Sequence, residues 1–443
     1  MSGIAIGGYM FAVLMILLVL RIPIGISMFL VGAGGVVVMS GGEWASLLNT
    51  LKNLSYARLS NYDLAVIPLF LIMGQFATHG GLSKSLFRCV SALVGHWRGG
   101  VAMASVGACA GFGAICGSSL ATAATMGQVA LPELRRYKYS GSLATGCLAA
   151  GGTLGIMIPP SVPLVIYAVL TQESIGKLFM AAVLPGIIAM LGYMLVIKII
   201  VTLNPESGPA GPRLSWAERL SAVLNVFPVV IVFLVVIIGI YGGWANPTEA
   251  ASIGAASCGI LAVITGGMRW KGIRESLMGA SEATAMIFLV LLGADMLNTG
   301  LALTQMPVEL ANWVKGSGLS PLLVMATILL IYIFLGCVMD ALAMILLTIP
   351  IFYPIVMGLD FWGMTVADKS IWFGILALMV VEIGLVHPPV GMNVFIINRL
   401  AKDVPLVETF KGVVPFLISD FMRIALLLAF PSISLVLVHT FKA

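Results

Sequence analysis

The chain has 443 residues, of which 60% are hydrophobic and only 9% charged, with a mean hydropathy of +1.10 and a formal net charge of +5. A soluble domain carries roughly 25% charged residues, so a chain this poor in charge cannot cover a water-exposed surface and needs the lipid bilayer as its solvent. The basic residues fall in short clusters between apolar stretches and form no stripe interleaved with exposed aromatics, which speaks against a nucleic-acid partner.

A spanning helix needs about 20 mostly apolar residues. Residues 4–20 read as the first span and not as a signal peptide, because no Lys or Arg precedes them, Arg21 follows them, and no small-x-small cleavage site is present. Spans over 22–41 and 63–79 come next. The connector 80–98 places Leu82, Leu86, Val90, Leu93 and Trp97 at helical spacing with Ser83, Lys84, Arg88 and Ser91 between them; this predicts a helix lying in the membrane surface. The apolar stretch 99–134 is too long for one span, and its middle reads G-F-G-A-I-C-G-S-S from Gly111 to Ser119. Two long segments, 140–171 and 178–200, close the first half. Residues 202–222, polar and rich in Pro and Gly, read as the one linker. The second half repeats the order of parts: spans over 223–241, 248–267 and 277–300, a connector over 303–318, an apolar stretch over 319–358, and segments over 371–398 and 413–438. Internal repeats are common in transporters, so the chain divides into repeats at 1–201 and 223–443.

Loop charge orients these parts. Arg98 lies at one end of 99–134 and Arg135, Arg136 and Lys138 at the other, so both ends belong in the cytoplasm and the segment is a re-entrant hairpin. The second hairpin, over 319–358, breaks near Phe334 to Asp340 and has nearly neutral or acidic flanks that read as periplasmic. The two hairpins therefore open to opposite faces, as in an inverted repeat. Arg213 and Arg219, Arg269, Lys271 and Arg274, and Arg399, Lys402 and Lys411 put their loops inside. Tracing back places both termini in the periplasm.

Irregular backbone at membrane depth is tolerated only where it is buried in protein or lines a cavity. Each half has two such places. The first has Cys116 to Ser119 and the run Gly152 to Ser161, which contains Pro159-Pro160. The second has Gly336 to Asp340 and the run Gly384 to Asn393, which contains Pro388-Pro389. A Pro-Pro pair withdraws two donors and blocks regular helix, and the freed carbonyls suit a hard cation, as in the broken helices of secondary transporters. Half-helix N-termini at the same gaps suit a carboxylate. Asp340, an acid in an apolar hairpin, is a candidate ion or substrate ligand. Asp295 and Glu382 also sit in apolar surroundings, where each can instead cap or pair locally. His387 reads as a hydrogen-bonded core group or a proton relay, and Gln75 as a hydrogen bond to a neighbouring helix. The six cysteines are scattered and form no CxxC, which predicts small packed residues and neither disulfides nor metal ligands. Enzyme signatures are missing, so the reading is a transporter and not an enzyme; an intramembrane enzyme using Asp340 with Asp295 or His387 is the reading from another class.

Four runs carry a family resemblance: I-P-L-F-L-I-M-G-Q (Ile67 to Gln75), G-A-I-C-G-S-S-L-A-T-A-A (from Gly113), A-A-G-G-T-L-G-I-M-I-P-P-S (Ala149 to Ser161) and P-P-V-G-M-N-V-F (Pro388 to Phe395). With them the whole chain resembles the large membrane subunit of TRAP (tripartite ATP-independent periplasmic) transporters. The resemblance implies an all-α, inverted-repeat, elevator-type transporter of the ion transporter superfamily, in the bacterial inner membrane. It would import an organic acid such as a C4-dicarboxylate or sialic acid, driven by Na+, with a separate small four-helix membrane subunit and a periplasmic substrate-binding protein. It carries a first sodium site onto Cys116, Ser118, Gly155, Ile158 and Pro160, largely through backbone carbonyls. Symmetry carries a second onto Gly336, Asp340, Gly384, His387 and Pro389. Substrate falls near Ser119, Thr122 and Asn393. Cys116 stands where the family often has Ser, and His387 where Thr is common, which leaves a hydroxyl ligand at the second site in doubt. A one-component sodium/carboxylate transporter of the same superfamily is the alternative.

Overall fold

The structure, a computed structural model, describes residues 2–337 and 339–441; Val338, inside the second predicted break, lies outside them. The described residues form helices and connecting turns, with no strand among them. Helix is what an apolar chain must form where no water can satisfy its backbone. Among the described residues, six helices are long and apolar enough to cross a membrane, or eight if two bent pairs each count as one span.

The first half runs α1 (Gly3–Val19), α2 (Ile24–Met39), α3 (Trp44–Leu59), α4 (Val66–His79), α5 (Leu82–Val94), the hairpin α6 (Gly100–Cys116) and α7 (Ser119–Arg136), the broken pair α8 (Gly141–Met157) and α9 (Val162–Thr171), and α10 (Ile175–Leu203). The second runs α11 (Trp216–Tyr241), α12 (Pro247–Ile264), α13 (Trp270–Thr304), α14 (Met306–Gly316), the hairpin α15 (Pro321–Gly336) and α16 (Ala341–Gly358), the broken pair α17 (Val366–Gly384) and α18 (Met392–Leu400), then α19 (Leu406–Ala429) and α20 (Ser432–Thr440). The sequence reading missed α3, which bends 55° into the following segment. It carries Asn49, Lys52, Asn53 and Arg58 and so lacks the apolar run of a span. The linker is shorter than predicted, because Ser215 and Glu218 form a reciprocal capping box that starts α11 at Trp216. The last predicted segment is two helices, separated at Phe430 and Pro431.

Packing exchanges partners between the halves. In the first, α2 lies along α13 and α1 meets α14; in the second, α12 lies along α4 and α11 meets α5. Close backbone approach explains the first seam: a Cβ on Gly25 would lie 3.0 Å from Val290 Cα, and one on Gly32 would overlap the backbone of Met296 and Leu297. A second body forms from both hairpins and both broken pairs, with α6 and α7 on α8, α15 on α17, α18 on α7 and α8, and α16 on α9. Helix α5 is amphipathic and turns Leu82, Leu86 and Phe87 into the protein; of the predicted apolar face, Leu93 and Trp97 are exposed, and Trp97 lies beyond the helix end at Val94.

The linker is fastened to the base of the first hairpin. Gly99 N donates to Gly208 O at 2.9 Å, Gly211 N to Gly95 O at 2.9 Å, and Ser140 N to Ser207 O at 3.0 Å. Arg135 pairs with Asp403 of the 401–405 loop. The hairpin ends, the linker and the 399–411 loop, three of the segments that loop charge assigns to one face, thus lie together. All six cysteines are free, and all but Cys89 are buried.

Candidate functional site

Both hairpin tips are built on the same plan. At the first, α6 stops at Cys116 because Gly117 takes φ +63°, a conformation open to glycine at no steric penalty. Ser118 is extended, and its Oγ accepts from Ala121 N at 3.4 Å, capping α7. At the second, α15 stops at Gly336, and the Asp340 carboxylate accepts from Leu342 N at 3.2 Å and Ala343 N at 3.5 Å, capping α16.

Each tip faces a break. In the first half, α8 ends at Met157, Ile158 is extended, and the cis Pro159–Pro160 pair leads into α9. A Cβ on Gly113 would overlap Gly155 Cα. One on Gly155 would fall 2.7 Å from Ser118 O and 2.5 Å from Thr122 Oγ1, and one on Gly117 would fall 3.2 Å from Pro160 O. Two carbonyls and a hydroxyl therefore crowd the gap between Gly117 and Gly155. Thr122 Oγ1 is buried with no hydrogen-bond partner among the described residues. Of the first predicted set, Cys116, Ser118, Gly155 and Pro160 come together, with Cys116 backing onto Gly74 of α4. Ile158 opens the break and turns its side chain toward Gly186 of α10.

In the second half, Gly336 and Gly384 meet backbone to backbone; a Cβ on Gly384 would lie 2.5 Å from Gly336 Cα. Cys337 Sγ lies 3.5 Å from Pro388 O and 3.7 Å from His387 Nδ1. The His387 ring stands edge-on to Phe421 at 6.5 Å, with its Nδ1 on Pro388 O. Gly336, Gly384, His387 and the Pro388-Pro389 break are thus brought together, with Asp340 half-buried at the tip. The two sites differ in cover: Pro159 and Pro160 are buried, whereas Pro388 and Pro389 are exposed.

Ser119, Thr122 and Asn393 are all buried. Asn393 Nδ2 donates to Ala149 O at 3.3 Å, beside Gly152, and Ser119 Oγ lies 2.9 and 3.0 Å from the two oxygens of Glu382. Glu382, 1% exposed, is therefore no local cap. It ties the start of α7 to the second half's broken helix across 263 residues of sequence, a link no spacing rule reveals.

Asp295 takes a different partner from Asp340. Arg58 of α3 holds it through Nε and Nη2, so this pair belongs to α2–α3–α13 and not to the tips. It lines a cavity of about 630 Å³ together with Asn61, Glu173 and Asn298. Gln75 packs against Gly279 of α13, but among the described residues its side chain makes no hydrogen bond there, so only the contact and not the predicted bond is seen. Arg58→Met is expected to lower stability by on the order of 2 kcal/mol, since it strands a largely desolvated carboxylate with a side chain only 11% exposed. Arg58→Met with Asp295→Leu should recover most of that loss in thermal unfolding of the purified protein. A double variant no more stable than the single would count against this account.

The helix-only fold, the bent pairs and the two matched tip-and-break sites define a multi-pass membrane transporter. The crystal structure of the Alcanivorax borkumensis YdaH transporter has a similar fold, with a TM-score of 0.61 over 88% of each chain at 14% identity. The family described as Tripartite ATP-independent periplasmic transporter, DctM component, matches residues 11–433, and the chain belongs to it. The chain is 34% identical over 412 residues to the C4-dicarboxylate TRAP transporter large permease protein of Pseudomonas aeruginosa, covering 93% of each. It is 30% identical over 438 residues to the ectoine TRAP transporter large permease protein of Halomonas elongata, covering 97% of this chain and 98% of that one. It is 28% identical over 426 residues to the sialic acid TRAP transporter large permease protein of Vibrio cholerae, covering 96% of each.

Proposed function

We propose that this chain is the translocating subunit of a sodium-coupled importer of an organic acid, a C4-dicarboxylate, sialic acid or similar carboxylate. It works with a separate small four-helix membrane subunit and a periplasmic substrate-binding protein. The observation that carries this reading is the repetition of one device in both halves: a capped hairpin tip, Ser118 or Asp340, pressed by a glycine–glycine contact onto a Pro-Pro break. Two inverted repeats, 1–201 and 223–443, joined by the cytoplasmic linker and with both termini periplasmic, account for that repetition.

The first site suits Na+ by its donor set. Ser118 O, Pro160 O and the unpartnered Thr122 Oγ1 are neutral oxygens, as a hard cation prefers. Asp340 supplies the one charged oxygen of the second. Na+ is cargo here: its binding draws tip and break together, and its release frees them. Unequal cover of the two breaks supports an elevator, in which the body of hairpins and broken helices slides along the α2–α13 and α4–α12 seams. In this conformation Pro160 faces a small pocket that Val229, Phe233 and Cys258 of α11 and α12 also line, while Pro388 and Pro389 stand open.

Uptake of a labelled acid into proteoliposomes, with the small subunit and an inward sodium gradient, tests the reading. Transport is expected to require both sodium and the binding protein. Sodium-driven uptake without the binding protein would favour a one-component carrier, and uptake indifferent to sodium would remove the coupling ion.

A further inference from the structure

Three buried polar side chains that neither tip uses form one cluster: Tyr193 on α10, and Asp420 and Arg423 on α19, the helices that follow the broken pair of each half. Arg423 Nη2 donates to Asp420 Oδ1 at 2.7 Å, and Tyr193 OH donates to Asp420 at 2.8 and 3.0 Å. The Tyr193 hydroxyl also lies 3.2 Å from Thr153 Oγ1, which donates at 2.6 Å to Ala150 O on its own helix and can share that proton with Tyr193. Thr153 sits on α8 just before its break, its carbonyl lies 3.4 Å from Ser119 Oγ, and Ser119 bonds Glu382. Every one of these six side chains is at most 4% exposed. The chain of contacts runs from α19 through α10 and α8 to the first residue of α7.

Helix α8 needs such a fastening. Its face toward α6 and α7 is made of Gly151, Gly152 and Gly155, and Gly146 lies against the backbone of Gly412. Small residues allow close approach but give no ridge to resist sliding along the axis. From Gly146 to Met157, Thr153 is the one side chain that carries a hydroxyl, amide or charge. A slide of α8 would carry Gly155 past Ser118 O and Thr122 Oγ1 and alter the gap at the first tip. A buried ion pair adds little stability over a well-packed apolar replacement; fixing one arrangement of α8 is a reason to keep Asp420 and Arg423 together beneath Tyr193.

We propose that Tyr193 is a positioning residue for the first tip: held by the Asp420–Arg423 pair, it sets the axial register of α8 through Thr153. This rests on the reading of that tip as the working site, but its first test does not depend on which ion binds there.

Hydrogen exchange of the full chain in nanodiscs, read at the first-turn amides of α7, follows the tip at a distance from the substitutions. Tyr193→Phe and Thr153→Val should each speed exchange there by on the order of tenfold. The double variant should be no faster than either single, because the two act in series. Thr153→Ser, which restores the hydroxyl, should exchange as the wild type does, and it decides the matter should Tyr193→Phe fail to fold. Multiplying effects, or faster exchange confined to α10 and α19, would overturn the proposal. A second measurement titrates NaCl against choline chloride and reads the thermal unfolding midpoint. The sodium-specific rise should shrink in Tyr193→Phe. A wild type with no such rise removes the sodium reading and leaves the exchange result to judge the positioning role.

Discussion

Asp340→Ala is expected to abolish uptake while the protein still reaches the membrane in near-normal amount. The carboxylate has two duties that the substitution removes together. As the cap of α16 it accepts from Leu342 N and Ala343 N, and losing a cap costs about 1 kcal/mol, too little to unfold a buried hairpin. As the one charged group at its tip, it is the natural counter-charge for a cation. Changes even to residues that merely support a metal ligand weaken binding by roughly tenfold to a hundredfold, and removal of the ligand should lose at least as much. Asp340→Asn separates the two duties, because asparagine caps as well as aspartate but carries no charge. It should match the wild type in thermal unfolding and fail in sodium-driven uptake. Normal uptake by Asp340→Asn would leave Asp340 as a cap and nothing more.

Gly384→Ala is expected to damage the fold severely. The added carbon would sit 2.5 Å from Gly336 Cα and 2.6 Å from Gly336 C. Overpacking typically costs 1–3 kcal/mol when side chains can shift. Here the obstacle is main chain on a helix end fixed by a hairpin, so the loss should be about 3 kcal/mol or more, seen as poor membrane yield and early unfolding. Gly358→Ala, at the far end of α16 with nothing within 4 Å of the added carbon, is the matched control and should be silent. Equal yields for the two variants would mean that the second tip and break do not press together as described.

What could be read from the residues follows from what each signal measures. Hairpins and breaks were legible because Pro159-Pro160 and Pro388-Pro389 interrupt otherwise apolar segments, and a backbone interruption is a local property. The tip residues were legible for the same reason. Helix α3 was not, because Lys52 and Arg58 dilute its hydropathy, and its partner for Arg58 lies 237 residues away. Glu382 was visible as an acid among apolar neighbours, but its link to Ser119 is tertiary. Asp420 and Arg423 offered a faint sign, two opposite charges one helical turn apart in an apolar stretch. Their contact with Tyr193 depends on how α10 and α19 cross, which no local pattern encodes.

The exchanged seams have a consequence for how the protein is made. Helix α2 meets its neighbours α1 and α3 early, but its main partner is α13, which begins at Trp270, whereas α2 ends at Met39. At roughly 5–20 residues per second, the ribosome needs on the order of ten seconds or more to supply that partner. During this interval the glycine-lined face of α2, with Gly25 and Gly32, is left to lipid or to the insertion machinery. The first half cannot mature before the second is synthesised, and a ribosome stalled within the second half would release a product with half of its seams open.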